Sequence, residues 1–346
     1  MIDVPEQALE AISSQEFPPS NEVVRMASPE MARQPGYYGL PMVKPPRWEW
    51  EIALYFFFEG ISAGSFVLSS MADLFGGRRY RKLVRKGRIL AFLTLLPCPP
   101  LLIADLGRPE RFHHMLRIVK RTSPMNTGAW ALTGYGIFAA TLAAREFLPL
   151  LRRMPGRAAA AMGMPFALTM LAYPGVLLSA TSNPAWAHNP FLGALLGCSS
   201  ISTATASLSL LGFRGPLPKL EAAATVCEAT ALAGYLCTAK RAAEPLVIGK
   251  QSRLFWLGAV VGGLVLPAIL RRRSSILGSV LTLGGALTLK LAITYAGHSS
   301  AMDSDAGRYV TRPNQKAPGW APAAITAPPA EPQPREAGLR GAGNRG

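Results

Sequence analysis

Eight blocks of apolar residues limit this chain more than any other feature. They run roughly over residues 50–75, 89–106, 126–145, 162–181, 190–211, 221–238, 254–270 and 276–296. Several reach the roughly 20 residues that cross about 30 Å of hydrocarbon. Lipid offers no partner for an open N–H or C=O, so such blocks must close their backbone hydrogen bonds as helices. The fold class that follows is an all-α integral membrane protein, a bundle of about eight transmembrane helices. Charged residues make up only 16% of the chain, against about 25% in soluble domains.

The formal net charge of +16 does not point to nucleic acid, because the basic residues gather in the short loops between apolar blocks. The loops after segments 1, 3, 5 and 7 hold sixteen Lys and Arg residues, and the opposite set holds nine. The positive-inside rule puts the richer set in the cytoplasm and both termini outside, across a bacterial inner membrane. Three regions follow. Residues 1–47 are a polar extracytoplasmic segment without a signal-peptide pattern, so the first span acts as the insertion signal. Residues 48–300 are the transmembrane bundle. Residues 301–346 are a Pro/Ala-rich tail with too little apolar surface to fold.

Several local expectations can be stated. Trp48 and Trp50 suit an interfacial aromatic belt. Gly60 and Gly64 let a neighbouring helix approach closely. Pro97, Pro99 and Pro100 should break segment 2. The small-residue run from Ser199 to Ser209 reads first as tight helix packing. Cys98, Cys198, Cys227 and Cys237 read as small buried hydrophobes, with no spacing that suggests a metal or iron–sulfur site. Haem needs axial ligands inside spans. His113, His114 and His188 fall in outer loops and His298 at the end of segment 8, which argues against haem in this chain.

Two ionisable residues stand inside apolar blocks, Glu59 in segment 1 and Lys290 in segment 8. A charge at the bilayer centre costs roughly 2.5–3.5 kcal/mol on insertion scales, so such residues default to a functional reading. At 1.5 Å per residue, Glu59 lies about 13 Å from Trp50, Lys290 about 9 Å from the outer end of its segment and Tyr135 about 15 Å from Met125. Tyr55 shares a face with Glu59 at i, i+4 spacing. A site built from Tyr55, Glu59, Asp105, Tyr135 and Lys290 would offer hydrogen bonds to a carbonyl and a carboxylate for proton exchange. The plainer alternative is a structural Glu59–Lys290 pair that only fixes helix packing. Glu228, about 10 Å from the inner face, and Asp73 at the inner end of segment 1 could extend a proton path. Asp73 could equally be an interfacial acid beside the basic loop.

The loop after segment 2 reads Asp105-Leu106-Gly107-Arg108-Pro109-Glu110-Arg111-Phe112, then His113 and His114, and leads to Ser123-Pro124-Met125-Asn126-Thr127-Gly128-Ala129-Trp130. Its alternating acids and bases favour a paired network, and Gly107 and Pro109 favour a fixed turn. Phe112, Met115, Leu116 and Val119 recur at helical spacing, as in a short surface helix. That helix either caps the bundle or forms a docking surface or pocket wall, with Arg108, Glu110, Arg111, His113 and His114 facing a partner.

At DLGRPERF and SPMNTGAW the chain resembles the NrfD / polysulfide reductase membrane-subunit family. Gly60-xxx-Gly64, Pro184-Ala185-Trp186 and Gly284-Gly285-xxxx-Lys290 add weaker support, and the resemblance covers residues 48–298. It implies a haem-free subunit that reacts with a membrane quinone, menaquinone or ubiquinone. It also implies a ferredoxin-like iron–sulfur subunit on the outer face and a molybdopterin catalytic subunit or other redox subunits beyond it. Asp105, Arg108, Glu110 and Arg111 would then border the quinone pocket and the partner face. One position departs from the pattern: the family often carries Arg where this chain has Lys290, which keeps the charge and loses the bidentate geometry. Two readings from other classes remain, a secondary transporter or proton channel and a passive membrane anchor of a redox complex.

Overall fold

The computed structural model describes residues 43 and 46–302, apart from 121, 188, 214–216, 272 and 273. Most of both tails, and His188, therefore lie outside the described residues. Each of the eight apolar segments is helical, and no strand occurs among the described residues. The long helices are α1 (Trp50–Phe75), α2 (Arg81–Leu95) with α3 (Cys98–Asp105), the short α4 (His113–Arg117), α5 (Pro124–Phe147), α6 (Gly156–Ser179), α7 (Pro190–Leu210) and α8 (Leu217–Ala239). A single turn, α9 (Glu244–Val247), precedes a π-helical stretch, Leu254–Val265, that continues into α10 (Leu266–Leu270), and α11 (Ser275–Ala301) closes the bundle.

Against eight expected spans, six helices are long and apolar enough to cross a membrane: α1, the stretch Arg78–Asp105, α6, α7, α8 and α11. Leu254–Leu270 is apolar but shorter. The 24 residues of α5 are diluted by Thr, Gly and Tyr. The expected break in segment 2 falls between Leu95 and Cys98, where Pro97 starts α3.

Two helices run past their expected ends, and this changes depth. α11 continues to Ala301, so Lys290 lies about 16 Å from that end and not about 9 Å. Glu228 is eleven residues from each end of α8. Both groups are therefore near the middle of their helices, Glu228 lying about 16 Å from either end of α8 and not about 10 Å from one.

The bundle has two halves. α1, α2, α5 and α6 close a ring, each touching the next. α7 packs on α8 and α11, and α11 packs on the π-helical stretch. α1 and α6 meet α7 across the middle, and α1 also meets α11. Small residues make that crossing close. A Cβ on Gly60 would sit 2.5 Å from Ser200 Oγ, and one on Gly64 would sit 2.6 Å from Ala204 Cβ and 2.7 Å from the Ser200 carbonyl. Ser200 and Ala204 belong to the small-residue run of α7, which fulfils the tight-packing reading.

At the end of the bundle that carries Phe75, each half is tied by ion pairs built on one buried residue, Arg88 in the first half and Glu221 in the second. Arg88 of α2 is 3% exposed and reaches Asp73 of α1 at 2.6 Å and Glu146 of α5 at 2.9 Å. In the other half Arg271 reaches Glu221 of α8 at 2.7 Å. By sequence Arg88 belongs with the basic loop after segment 1. It is instead a core residue, because α2 begins at Arg81 and turns it inward.

The opposite end is closed around Trp186. Its indole N–H donates to the Ile293 carbonyl at 2.9 Å, and its ring stacks on Trp48 at 5.7 Å. The Asn183 amide donates to the Gly297 carbonyl at 2.8 Å. Trp48 is thus part of the packing, while Trp50 is exposed as a belt residue would be. The cysteine expectation needs correction. Cys98 is buried, but Cys227 and Cys237 are exposed, because α8 lies at the edge of the bundle and turns one face outward.

Candidate functional site within the bundle

Glu59 is completely buried on α1, and neither carboxyl oxygen has a hydrogen-bond partner among the described residues. A buried carboxyl without partners forfeits its hydration with nothing in return. Such groups mark places where something else is bound or where a proton moves. Glu59 acts electrostatically on Tyr55, Cys98, Tyr135 and Tyr173, which come from α1, α3, α5 and α6. It is the polar centre of the first half of the bundle.

The three tyrosines around it are not equivalent. Ser62 Oγ donates its only proton to the Ala91 carbonyl at 2.6 Å. The 2.7 Å contact between Ser62 Oγ and Tyr135 OH must therefore use the phenolic proton. Tyr173 OH donates to the Pro124 carbonyl at 3.2 Å. Tyr55 OH, one turn from Glu59, takes part in no hydrogen bond among the described residues, although the side chain is 1% exposed. Of the two expected tyrosine donors, Tyr55 is available and Tyr135 is committed.

Lys290 is 1% exposed and donates to Ser199 Oγ of α7 at 3.2 Å. It makes no ion pair with Glu59, so the plain structural pair is not formed. Glu59 and Glu228 both act on it electrostatically. Glu228 is 5% exposed, and the Ser199 and Ser202 hydroxyls act on its carboxyl. The cluster therefore spans both halves, from Tyr55 and Glu59 through Lys290 and Ser199 to Glu228.

Asp105 and Asp73 do not join it. Asp105 ends α3 and is half-buried beside Glu49 and Glu51. Glu51 is eight residues before Glu59 on α1, about 12 Å along the axis. Asp73 is fourteen residues beyond Glu59 and paired to Arg88.

The loop after α3 is ordered in another way than expected. Asp105, Arg108, Glu110 and Arg111 form no ion pairs among the described residues. Gly107 takes φ +68°, a conformation that strains residues with a Cβ. Asn126 holds the loop: its amide donates to the Met115 carbonyl at 2.7 Å and the Ile118 carbonyl at 2.8 Å, and its Oδ1 accepts from Lys120 N–H at 2.7 Å. Gly128 lets Tyr173 lie against α5, where a Cβ would overlap the phenol. The two sequence signatures are therefore one structural unit. The surface helix is only α4, five residues. Arg108, Glu110 and Arg111 just before it and His113 and His114 in its first turn are exposed, with the two imidazole rings 4.3 Å apart. Phe112, Leu116, Ile118 and Val119 are exposed beside them.

Ser62, Cys98, Tyr173, Ser199 and Arg88 are site or core residues that sequence reasoning does not single out. Only Tyr173 carries a signal, a polar ring inside an apolar block; the hydroxyls and Cys98 look like packing residues until their neighbours are known. Among the described residues no three His, Cys, Asp or Glu side chains gather as a metal site would require.

Residues 41–300 match the family described as polysulphide reductase, NrfD. A polysulfide reductase chain of Wolinella succinogenes is 28% identical over 300 residues, covering 73% of this chain and 94% of the relative. A selenate reductase subunit of Mesobacillus selenatarsenatis is 31% identical over 117 residues, 34% of this chain and 27% of that protein. A putative dimethyl sulfoxide reductase membrane subunit of Halobacterium salinarum is 32% identical over 78 residues, 22% of this chain and 18% of that protein.

Proposed function

The chain belongs to the polysulphide reductase NrfD family, and on that premise we propose that it is the quinone-reactive membrane subunit of a respiratory oxidoreductase complex. The observation that carries this reading is Glu59, buried in the bundle with both oxygens unpartnered among the described residues. A quinol hydroxyl can donate to that carboxylate and leave its proton there. Tyr55 OH, one turn away and uncommitted, can donate to a quinone carbonyl. Lys290 supplies the positive charge that keeps an ionised Glu59 in a dry site. Quinone chemistry exchanges two electrons and two protons. Glu59 takes or returns the two protons in turn, and the two electrons pass to or from a partner. Tyr135 positions the site through Ser62.

The relatives named as subunits of polysulfide, selenate and dimethyl sulfoxide reductases support a place in such a complex. In this reading the bundle crosses a bacterial inner membrane eight times, the two further spans being α5, which is less apolar, and Leu254–Leu270, which is shorter. Both termini lie outside, the orientation that the loop charges favour. The loop from Asp105 to Lys120 then faces an extracytoplasmic iron–sulfur subunit, with Arg108, Glu110, Arg111, His113 and His114 at the contact. Beyond it stands a molybdopterin catalytic subunit or another redox subunit. Asp105 borders the pocket mouth. That Lys290 bonds Ser199 and not Glu59 favours this reading over a passive anchor, in which the two would have only a structural role.

The test is quinone content and quinol-analogue fluorescence quenching on the purified protein, with and without Glu59→Gln. Bound quinone that weakens in the variant supports the reading. A well-folded wild type with neither quinone nor quenching removes it.

A further inference from the structure

We propose that Glu59, Glu228 and Lys290 form one electrostatic unit that holds a single proton between its two carboxyl groups, Lys290 being the counter-ion of whichever is ionised. The three residues come from α1, α8 and α11 and are 0%, 5% and 1% exposed. Two anions and one cation would leave one uncompensated negative charge in a low-dielectric core, which is strongly disfavoured. One proton makes the unit neutral.

Placement supports sharing over a fixed pair. Lys290 is held by a neutral hydroxyl, Ser199 Oγ at 3.2 Å, and forms an ion pair with neither acid, while both act on it. Glu59 acts electrostatically on Tyr55, Cys98, Tyr135 and Tyr173 and is acted on by Lys290. Glu228 acts on Cys198 and is acted on by Lys290, Ser199 and Ser202. Among the described residues Lys290 is the one cation in either group. The other buried cation among them, Arg88, is committed to Asp73 and Glu146. The flexible lysine stem lets the ammonium favour either carboxylate without moving a helix.

A proton gained by Glu59 therefore displaces the one on Glu228, and Lys290 shifts to the newly ionised partner. One proton enters the unit and one leaves, with no change in electrons. This rests on the quinone reading only for the source of the proton.

The test is infrared difference spectroscopy on the full chain in lipid nanodiscs, with the glutamate carboxyl groups labelled with carbon-13. Glu59→Gln and Glu228→Gln are each expected to abolish the same single protonated-carboxyl band, because either leaves Lys290 one carboxylate to neutralise. Glu59→Gln combined with Lys290→Met is expected to restore a band from Glu228. A band that keeps full intensity in either single variant overturns the proposal. So does a wild type that shows two such bands or none. If the double variant does not fold, the two near-isosteric single variants decide alone. Absence of bound quinone changes none of these bands, so failure of the quinone reading is separable.

Discussion

Lys290 donates to Ser199 Oγ at 3.2 Å and pairs with neither Glu59 nor Glu228. A cation fixed by a hydroxyl, with two buried acids in range, is arranged for a change of partner. A permanent salt bridge would have closed one of those gaps.

Glu59→Gln keeps the side chain's shape and removes the proton acceptor. In the assembled complex, turnover with quinol or quinone is expected to fall about 100-fold or more, the range for loss of a positioned proton-transfer group. Complex assembly should not change. Steady-state kinetics beside size-exclusion chromatography reads both, and wild-type turnover in the variant would take Glu59 out of the chemistry.

Tyr55→Phe and Tyr135→Phe should separate binding from support. The first removes an uncommitted donor and is expected to weaken quinol-analogue quenching with little loss of stability. The second strips the hydrogen bond onto Ser62 and is expected to cost about 1 kcal/mol of stability. Quenching titrations and thermal unfolding compare them; equal effects on binding would contradict the distinction between the two hydroxyls.

Gly64→Ala places a methyl against Ala204 Cβ and the Ser200 carbonyl. It is expected to cost about 1–3 kcal/mol, as overpacking does. Gly60→Ala should cost less, since Ser200 Oγ can rotate away. Adding Ala204→Gly to Gly64→Ala should recover part of the loss in a detergent melting curve.

Arg88→Leu leaves Asp73 and Glu146 facing each other without their cation. The expected loss is about 3–5 kcal/mol, the cost of breaking a buried pair from one side. Neutralising both acids as well, with Asp73→Asn and Glu146→Gln, should return much of the stability. Thermal unfolding of the single and triple variants checks this.

Asn126→Ala removes three hydrogen bonds that hold residues 115–120. Amide hydrogen exchange across that stretch should accelerate while α1 and α7 stay protected. Unchanged exchange in the loop would mean that Trp130, whose indole also reaches the Ile118 carbonyl at 3.4 Å, is sufficient.

The sequence alone determined the helical class, because membrane-length apolar blocks have no other way to satisfy their backbone. It determined the close approach at Gly60 and Gly64, since spacing on one helix face is a local property. It also singled out Glu59 and Lys290, because a charge within an apolar run is visible without coordinates. What those charges face was decided by tertiary structure. Whether Glu59 pairs with Lys290 depends on how two helices more than two hundred residues apart in sequence are rotated against each other, and α7 gives Lys290 Ser199 as its acceptor. Tyr135 lost its availability to Ser62 and Ala91, two neighbours from other helices. Arg88 left the basic loop for the core because α2 starts earlier than the hydropathy suggests. Periodicity and composition report what one segment prefers. Hydrogen-bond commitment and burial belong to the contacts between segments, and only the packed bundle sets those.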